Sequence, residues 1–303
     1  MILLQKFCRG NFLFFRIIFA LLIALLLGGC NQKPASSEIR IATNAWIGYA
    51  PLFMANEKGL LQKEGFRLLH NVSLAEAMEV FSVGKAHMVT TTQHEYFALR
   101  KEVPLKPVIL LDRSDGGDMI LSNVTVEELK KAPHIDVYLE LDSINNELLR
   151  SFAKKEGLDI HKMHFLDMDQ KQIQQSVNPG QIPMLVVTYS PYHKALIKKG
   201  LHIVASTKDL DSIVVIDALC ARTDIIAKER PRIKKLKIII DSMIGTIEQN
   251  PKEAYRLCKN YLQDLAYEDF LKSLKLIRWI NHPDTKILQV IEEIGYDTSE
   301  LVK

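Results

Sequence analysis

The sequence predicts an α/β chain folded as two lobes, on three observations. Strand-like and helix-like segments alternate at short intervals over residues 38–111. A second set with the same alternation runs over residues 119–205. One apolar run, residues 17–27, stands near the start, and no second run of that length follows, so the remainder is expected to fold in water. Two successive α/β units predict two lobes with a cleft between them. Ligand sites in such sheets lie beyond the carboxyl ends of the strands.

The first unit opens with a strand over 38–42 whose residues alternate sides. A loop with Trp46, Gly48 and Tyr49 follows. Pro51 suits the first turn of a helix that carries Leu52, Phe53 and Ala55 and stops at Gly59. Residues 66–70 read as a strand. Leu74, Ala77, Met78 and Phe81 fall at helical spacing, with Gly84 at the stop. A short strand at 86–89, a polar loop at 90–93, a helix at 94–101 and a buried strand at 108–111 complete a largely parallel sheet.

The second unit has strands at 119–122 and 134–141, separated by a short helix at 126–129. Ile144, Leu148, Leu149 and Phe152 line one face of the next helix, which closes at Gly157. Strands at 163–166 and 185–187, a helix to Lys199 and a strand at 201–205 finish the unit. Residues 213–216 read as a return to the first sheet. From Lys228 onward the pattern is helical, with Pro231, Pro251 and Pro283 marking starts or breaks. The expected partition is a leader over 1–29, a tether over 30–37, lobe I from 38–118 and 213–303, and lobe II from 119–212.

Lys6, Arg9 and Arg16 precede the apolar run and form a positive n-region, the layout of a secretory signal peptide. The end Leu27-Gly28-Gly29-Cys30 resembles the lipobox of bacterial lipoproteins. That resemblance implies cleavage before Cys30, a lipid such as palmitate on its thiol, and a mature protein anchored on the extracytoplasmic side of a bacterial membrane, periplasmic in a Gram-negative cell. An N-terminal anchor helix is the alternative. The polar, proline-containing stretch over 31–37 reads as the tether.

The formal net charge of +3 belongs to the leader. Three of the 39 basic residues lie there with no acid, leaving 36 basic against 36 acidic. A nearly neutral chain has no broad basic face, so nucleic acid is not an expected partner. Of the four cysteines, Cys220 and Cys258 remain beyond the leader and the lipid candidate. Two cysteines make no disulfide framework, and Cys220 in its apolar run reads as a buried free thiol.

The stretch Asn44-Ala45-Trp46-Ile47-Gly48-Tyr49-Ala50-Pro51-Leu52, followed by Ala55-Asn56-Glu57-Lys58-Gly59-Leu60 and Glu64-Gly65-Phe66, resembles the opening of one group of ABC-transporter substrate-binding proteins. This is the nitrate, sulfonate and taurine group, which also includes binders of thiamine pyrimidine precursors. Leu61 replaces the group's usual Phe, and His87 replaces the acid of its Gly-x-x-Asp strand entry. Glu140-Leu141-Asp142-Ser143 sits where many members have Gly-Ser-Thr, and Thr188-Tyr189-Ser190-Pro191-Tyr192 where many have Trp-x-Pro. The resemblance covers nearly the whole chain after the leader. It implies a two-lobed periplasmic-binding-protein fold of type II that closes on a small molecule and delivers it to an ABC permease.

Candidate ligand residues cluster after the strands. Trp46 can stack on a flat or apolar ligand face, or pack at the lobe edge. Gly48 and Tyr49 lie at a helix entry, where backbone N–H groups bind an oxyanion or carbonyl. Thr91, Thr92 and Gln93 can orient a polar ligand or cap a helix. The run from Asp112 to Asp118 fails as a calcium loop, because Gly116 and Asn123 stand where oxygen ligands are required. Within it, Asp115 and Asp118 can accept from a donor-rich ligand, or belong to a solvated turn. Ser143 is a good helix N-cap, a position that attracts anions, but Asp142 already places a negative charge there. With Glu140 and Glu147, it favours a nitrogen-rich heterocycle or an amine over a sulfonate or nitrate. Tyr189 and Tyr192 flank Pro191, and one of them can close an aromatic clamp with Trp46. Asp217 is a weaker candidate.

No catalytic residue, cofactor or metal is expected. His161 and His164 lack the zincin acid pattern, no Gly-x-Ser-x-Gly elbow occurs, and Cys220 has no activating partner in sequence. The reading is a solute-binding lipoprotein of an ABC importer. One rival is a binding protein that reports occupancy to a membrane sensor. A second is an enzyme of pyrimidine synthesis, against which the leader and the missing histidine–cysteine cluster count.

Overall fold

The computed structural model describes residues 38–302. The leader, the tether and Cys30 lie outside the described residues. From Ile39 onward the chain forms one compact unit built on two sheets.

The first sheet has the order β11-β4-β10-β3-β1-β2, with β1 at Ile39–Thr43, β2 at Phe66–His70, β3 at Met88–Thr92, β4 at Leu105–Ser114, β10 at Ile216–Arg222 and β11 at Ile277–Trp279. β1 is parallel to β2 and β3. β10 is antiparallel to β3 and β4, and β11 to β4, so the sheet is mixed where a largely parallel one was expected. The second sheet has the order β7-β6-β8-β5-β9, with β5 at Asp118–Ser122, β6 at Ile135–Leu139, β7 at Met163–Asp167, β8 at Met184–Tyr189 and β9 at His202–Ser206. β6 is parallel to β7 and β8, and β5 is antiparallel to β8 and β9.

The central strands of both sheets are buried on both faces, which is why they read as apolar runs. Along β10, Leu219 and Ala221 point into one core and Ala218 and Cys220 into the other. Along β8, Leu185 and Val187 face Leu148 and Phe152, whereas Val186 faces Ile173 and Leu196. The predicted helix stops hold: Gly59, Gly84 and Gly157 take φ of 67°, 77° and 69°, the left-handed region that glycine occupies without strain. The helix Thr223–Gln249 breaks at Glu229, two residues before Pro231.

Three local readings change. Thr90, Thr91 and Thr92 lie in β3 with buried side chains, not in a polar loop. The Thr90 hydroxyl donates to Thr43 Oγ1 at 3.0 Å and that of Thr91 lies 3.4 Å from Cys220 Sγ, both inside the sheet, while that of Thr92 caps the next helix. The C-terminal region is not helical throughout, because Ile277–Trp279 adds an edge strand to β4. The return from the second sheet begins as a strand at Ile216 and runs to Arg222. Cys220 and Cys258 are both buried and free.

Two segments join the sheets, β4 to β5 and β9 to β10, and they are tied to each other. The Ser114 and Thr207 hydroxyls lie 2.8 Å apart. The Gly116 N–H donates to Thr207 Oγ1 at 2.8 Å, and the Thr207 N–H to the Asp118 carbonyl at 3.0 Å. Among the described residues, no helix is long and apolar enough to cross a membrane.

Candidate functional site: an acidic interlobe cleft

The cleft floor begins where β1 ends. Trp46 leaves the strand in an extended conformation and starts the 3-10 turn Ile47–Tyr49. Its indole N–H donates to both carboxylate oxygens of Asp112, at 3.1 and 3.3 Å. Gly48 is required by that contact: a Cβ there would stand 1.8 Å from Asp112 Oδ2 and 2.5 Å from Trp46 Nε1. Gly117 is required on the other side, where a Cβ would meet the Trp46 ring at 2.4 Å. The indole is thus seated between two backbone segments that tolerate no side chain.

A second aromatic–acid pair lies alongside. The Tyr49 hydroxyl donates to Asp217 Oδ1 at 2.5 Å. Asp217 and Asp112 are register partners on β10 and β4, which sets the two pairs side by side. Burial pushes both carboxyl groups well above the usual carboxylate range. The Trp46 bond opposes this at Asp112, and the charge of Asp112 adds to it at Asp217.

The second lobe supplies the facing wall. Asp118 and Tyr189 are register partners on β5 and β8. The Tyr189 ring meets Trp46 edge-on, with centroids 6.0 Å apart, and its hydroxyl accepts from Asn44 Nδ2 at 3.4 Å. Asp118 is buried, and its Oδ2 has no hydrogen-bond partner. Burial pushes its carboxyl up to about 7. Glu140 follows β6; its Oε2 accepts from Gln170 at 3.1 Å and Asn145 at 3.4 Å, while its Oε1 has no partner. Burial pushes Glu140 up to about 8. The buried side-chain oxygens Asn44 Oδ1 and Asn145 Oδ1 also lack donors.

The space between the lobes has two parts. An inner cavity of about 20 Å³ is lined by Asn44, Trp46, Tyr49, Leu74, Thr92, Asp118, Ile144, Tyr189 and Asp217. That is room for about one water, so the lobes are drawn together. An outer cavity of about 240 Å³ is lined on one side by Leu74, Ala75 and Met78 and on the other by Glu140, Asp142, Ser143, Asp167 and Asp169. No lysine or arginine lines either part. Lys237, the buried lysine, is paired with Asp241 at 2.6 Å beside Asn281. A larger cavity of about 840 Å³, lined by Arg230, Lys234 and His282, shares no residue with the cleft.

Most of the residues singled out in the sequence converge here. Trp46, Tyr49, Thr92, Asp118 and Tyr189 line the inner cavity, and Asp142 and Ser143 the outer one. Gly48 acts by leaving space. Thr91 is turned to Cys220, 3.4 Å from its Sγ. Gln93 spends its amide on the backbone of Val214 and Ile216. Asp115 lies outside the cleft in an ion pair with Arg278 at 2.9 Å. Tyr192 is fully buried behind Tyr189, its hydroxyl donating to the Val72 carbonyl at 3.1 Å. Not singled out were Asn44, Leu74 and Ile144, and Asp112 and Glu95 as partners in the cleft. A position just after a strand was the available signal for Asn44; cross-strand register, which sequence does not display, decides Asp112.

The architecture matches solved periplasmic-binding-protein structures. The alkanesulfonate-binding protein SsuA from Xanthomonas axonopodis pv. citri bound to MOPS superposes with a TM-score of 0.69 at 15% identity, covering 85% of this chain and 90% of that one. The periplasmic aliphatic sulphonate binding protein SsuA from Escherichia coli gives 0.67 at 16% identity, with 85% of each chain covered. The periplasmic nitrate-binding protein NrtA from Synechocystis PCC 6803 gives 0.65 at 14% identity, covering 82% of this chain and 72% of that one. No curated protein matches the sequence. A profile described as the NMT1-like family matches residues 32–242, well over half the chain, and the protein belongs to that family.

Proposed function

We propose that this protein is an extracytoplasmic solute-binding lipoprotein that captures a small, donor-rich nitrogenous molecule, an amine or nitrogen heterocycle, and hands it to an ABC importer. The observation that carries the solute class is the acid content of the cleft. Asp118, Asp217 and Glu140 are buried and line it, Asp112 and Glu95 are buried against residues that line it, and no lysine or arginine lines it. Burial disfavours ionisation of these groups, and a positive or donating partner offsets that cost. A nitrate or sulfonate would face carboxylates, whereas a cation or an N–H donor would satisfy the open oxygens of Asp118 and Glu140. The sulfonate- and nitrate-binding neighbours share the fold at 14–16% identity, which leaves the site chemistry free to differ.

Two lobes tied by a narrow crossover support capture by closure, which requires only that the solute bind the closed form better than the open one. Lipid attachment at Cys30 and export rest on the sequence of the leader. The test is thermal unfolding of the purified protein with a panel of primary amines, diamines, pyrimidines, sulfonates and nitrate. A true solute at about a hundredfold above Kd stabilises the fold by roughly 2.7 kcal/mol. Stabilisation confined to nitrogenous compounds supports the proposal, and stabilisation confined to sulfonates or nitrate overturns it.

A further inference from the structure

We infer that His134, Asp136 and His164 form a zinc-type metal site on the second lobe, on the face of the β6–β7 pair. The inference does not depend on the solute proposed for the cleft.

The backbone brings the three side chains together. Asp136 is two residues beyond His134, so along an extended chain both project to the same side. Asp136 and His164 are register partners on the parallel strands β6 and β7. The result is two imidazoles aimed at one carboxylate oxygen. His134 Nε2 lies 2.9 Å from Asp136 Oδ1, and His164 Nδ1 lies 3.2 Å from the same atom. The three donor atoms all lie within 4.8 Å of one another, a grouping found once among the described residues.

Those separations suit one ion. Zinc bonds of about 2.0–2.1 Å at tetrahedral angles place neighbouring donors about 3.3 Å apart. Asp136 and His164 are held by paired strands, and His134 is the residue that immediately precedes β6. Two imidazoles and one carboxylate suit zinc, nickel or copper rather than magnesium or calcium, which prefer all-oxygen sets. Without metal, each ring donates an N–H toward Asp136. With metal, each takes the tautomer protonated on its far nitrogen and offers a lone pair instead. The His134 and His164 side chains are 54% and 58% exposed, which leaves the fourth position to water or an incoming ligand. Zincin spacing does not announce the site, because strand pairing brings His164 to the His134–Asp136 pair from 28 residues away.

The test is calorimetric titration of the purified, metal-stripped protein with zinc chloride, with magnesium and calcium chloride as controls. The expected result is one zinc per chain and no saturable binding of the controls. His134→Ala and His164→Ala should each weaken zinc by about tenfold or more. His164→Gln, which keeps a hydrogen-bonding group beside Asp136, should lose as much. A metal-free melting temperature equal to that of the unsubstituted protein separates ligand loss from misfolding. No saturable zinc binding, or binding left unchanged by all three substitutions, overturns the inference.

Discussion

Glu95, on the first lobe, accepts a hydrogen bond from the backbone N–H of Ile144, on the second, at 2.9 Å. The donor is the first residue of the helix Ile144–Glu156, one of the four N–H groups that a helix leaves without an internal partner. The other oxygen of Glu95 holds the backbone N–H of Thr92 in a capping box. One carboxylate therefore fixes a helix start in its own lobe and clasps a helix start in the other. Beside it, His94 Nδ1 and Glu147 Oε1 lie 2.7 Å apart across the same boundary.

Breaking this clasp should open the lobes. Glu95→Ala removes the cap and the interlobe bond together and should cost about 1–3 kcal/mol. Thr92→Ala removes the cap and the hydroxyl's bond to Glu95 but leaves the interlobe bond, at about 1 kcal/mol. Urea unfolding measures both. Small-angle scattering should show a larger radius of gyration for the Glu95 variant and no change for the Thr92 variant.

The Trp46–Asp112 pair should be sensitive to single-atom changes. Trp46→Phe keeps an aromatic ring but leaves a buried carboxyl group without its indole donor, a loss of about 1–3 kcal/mol. Gly48→Ala forces a Cβ onto Asp112 Oδ2 and should cost about as much by overpacking. Both should weaken the solute that stabilises the unsubstituted protein.

The pH dependence of the unliganded protein follows from the buried acids. Asp118 near 7 and Glu140 near 8 lie above the ordinary carboxylate value of about 4. Between those values the folded state holds more protons than the unfolded state, so stability falls as pH rises from about 4 toward 8. His94 acts in the same direction. Its hydrogen bond to Glu147 raises it above its ordinary value, so its contribution is complete below about 6.5 and is lost as pH rises through the raised value. Melting curves should shift down between pH 5 and pH 8, and less in Asp118→Asn and in His94→Gln.

Solute binding should show the opposite slope. A cation favours the ionised forms of Asp118 and Glu140, so its affinity should rise between about pH 6 and 8, with proton release on binding. Calorimetry in buffers of different ionisation enthalpy measures the release. A neutral donor, which favours the ionised forms only through its hydrogen bonds, gives a shallower rise.

Lipid attachment is testable apart from the cleft. In a bacterial expression host, Cys30→Ala should abolish labelling by palmitate and move the chain from the membrane to the soluble fraction.

How much of this was legible in the sequence depends on range. Ser143 as the cap of its helix and Gly157 as the stop were readable because both are local, and the Ser143 hydroxyl does accept from the Asn145 N–H at 3.1 Å. Trp46 stood out because polar or aromatic residues after strands face the cleft in such folds, and Asp118 as an acid in the turn between the two units. The partners were hidden. Asp112 is 66 residues from Trp46, and Asp217 is 168 from Tyr49. Thr90 to Thr92 read as a polar loop, yet all three lie in a strand, with the Thr90 and Thr91 hydroxyls satisfied by neighbouring strands, so threonine's preference for extended backbone prevailed. Ile277–Trp279 was missed because a three-residue strand has no periodicity to detect.

The most direct measurement is calorimetric binding of a short diamine, a pyrimidine, an alkanesulfonate and nitrate to the purified protein, with Asp118→Asn and Glu140→Gln alongside. The account predicts that a nitrogenous compound binds, that the sulfonate and nitrate do not, and that either substitution weakens binding by about tenfold or more. Tight binding of the sulfonate or nitrate, undiminished by either substitution, would contradict it.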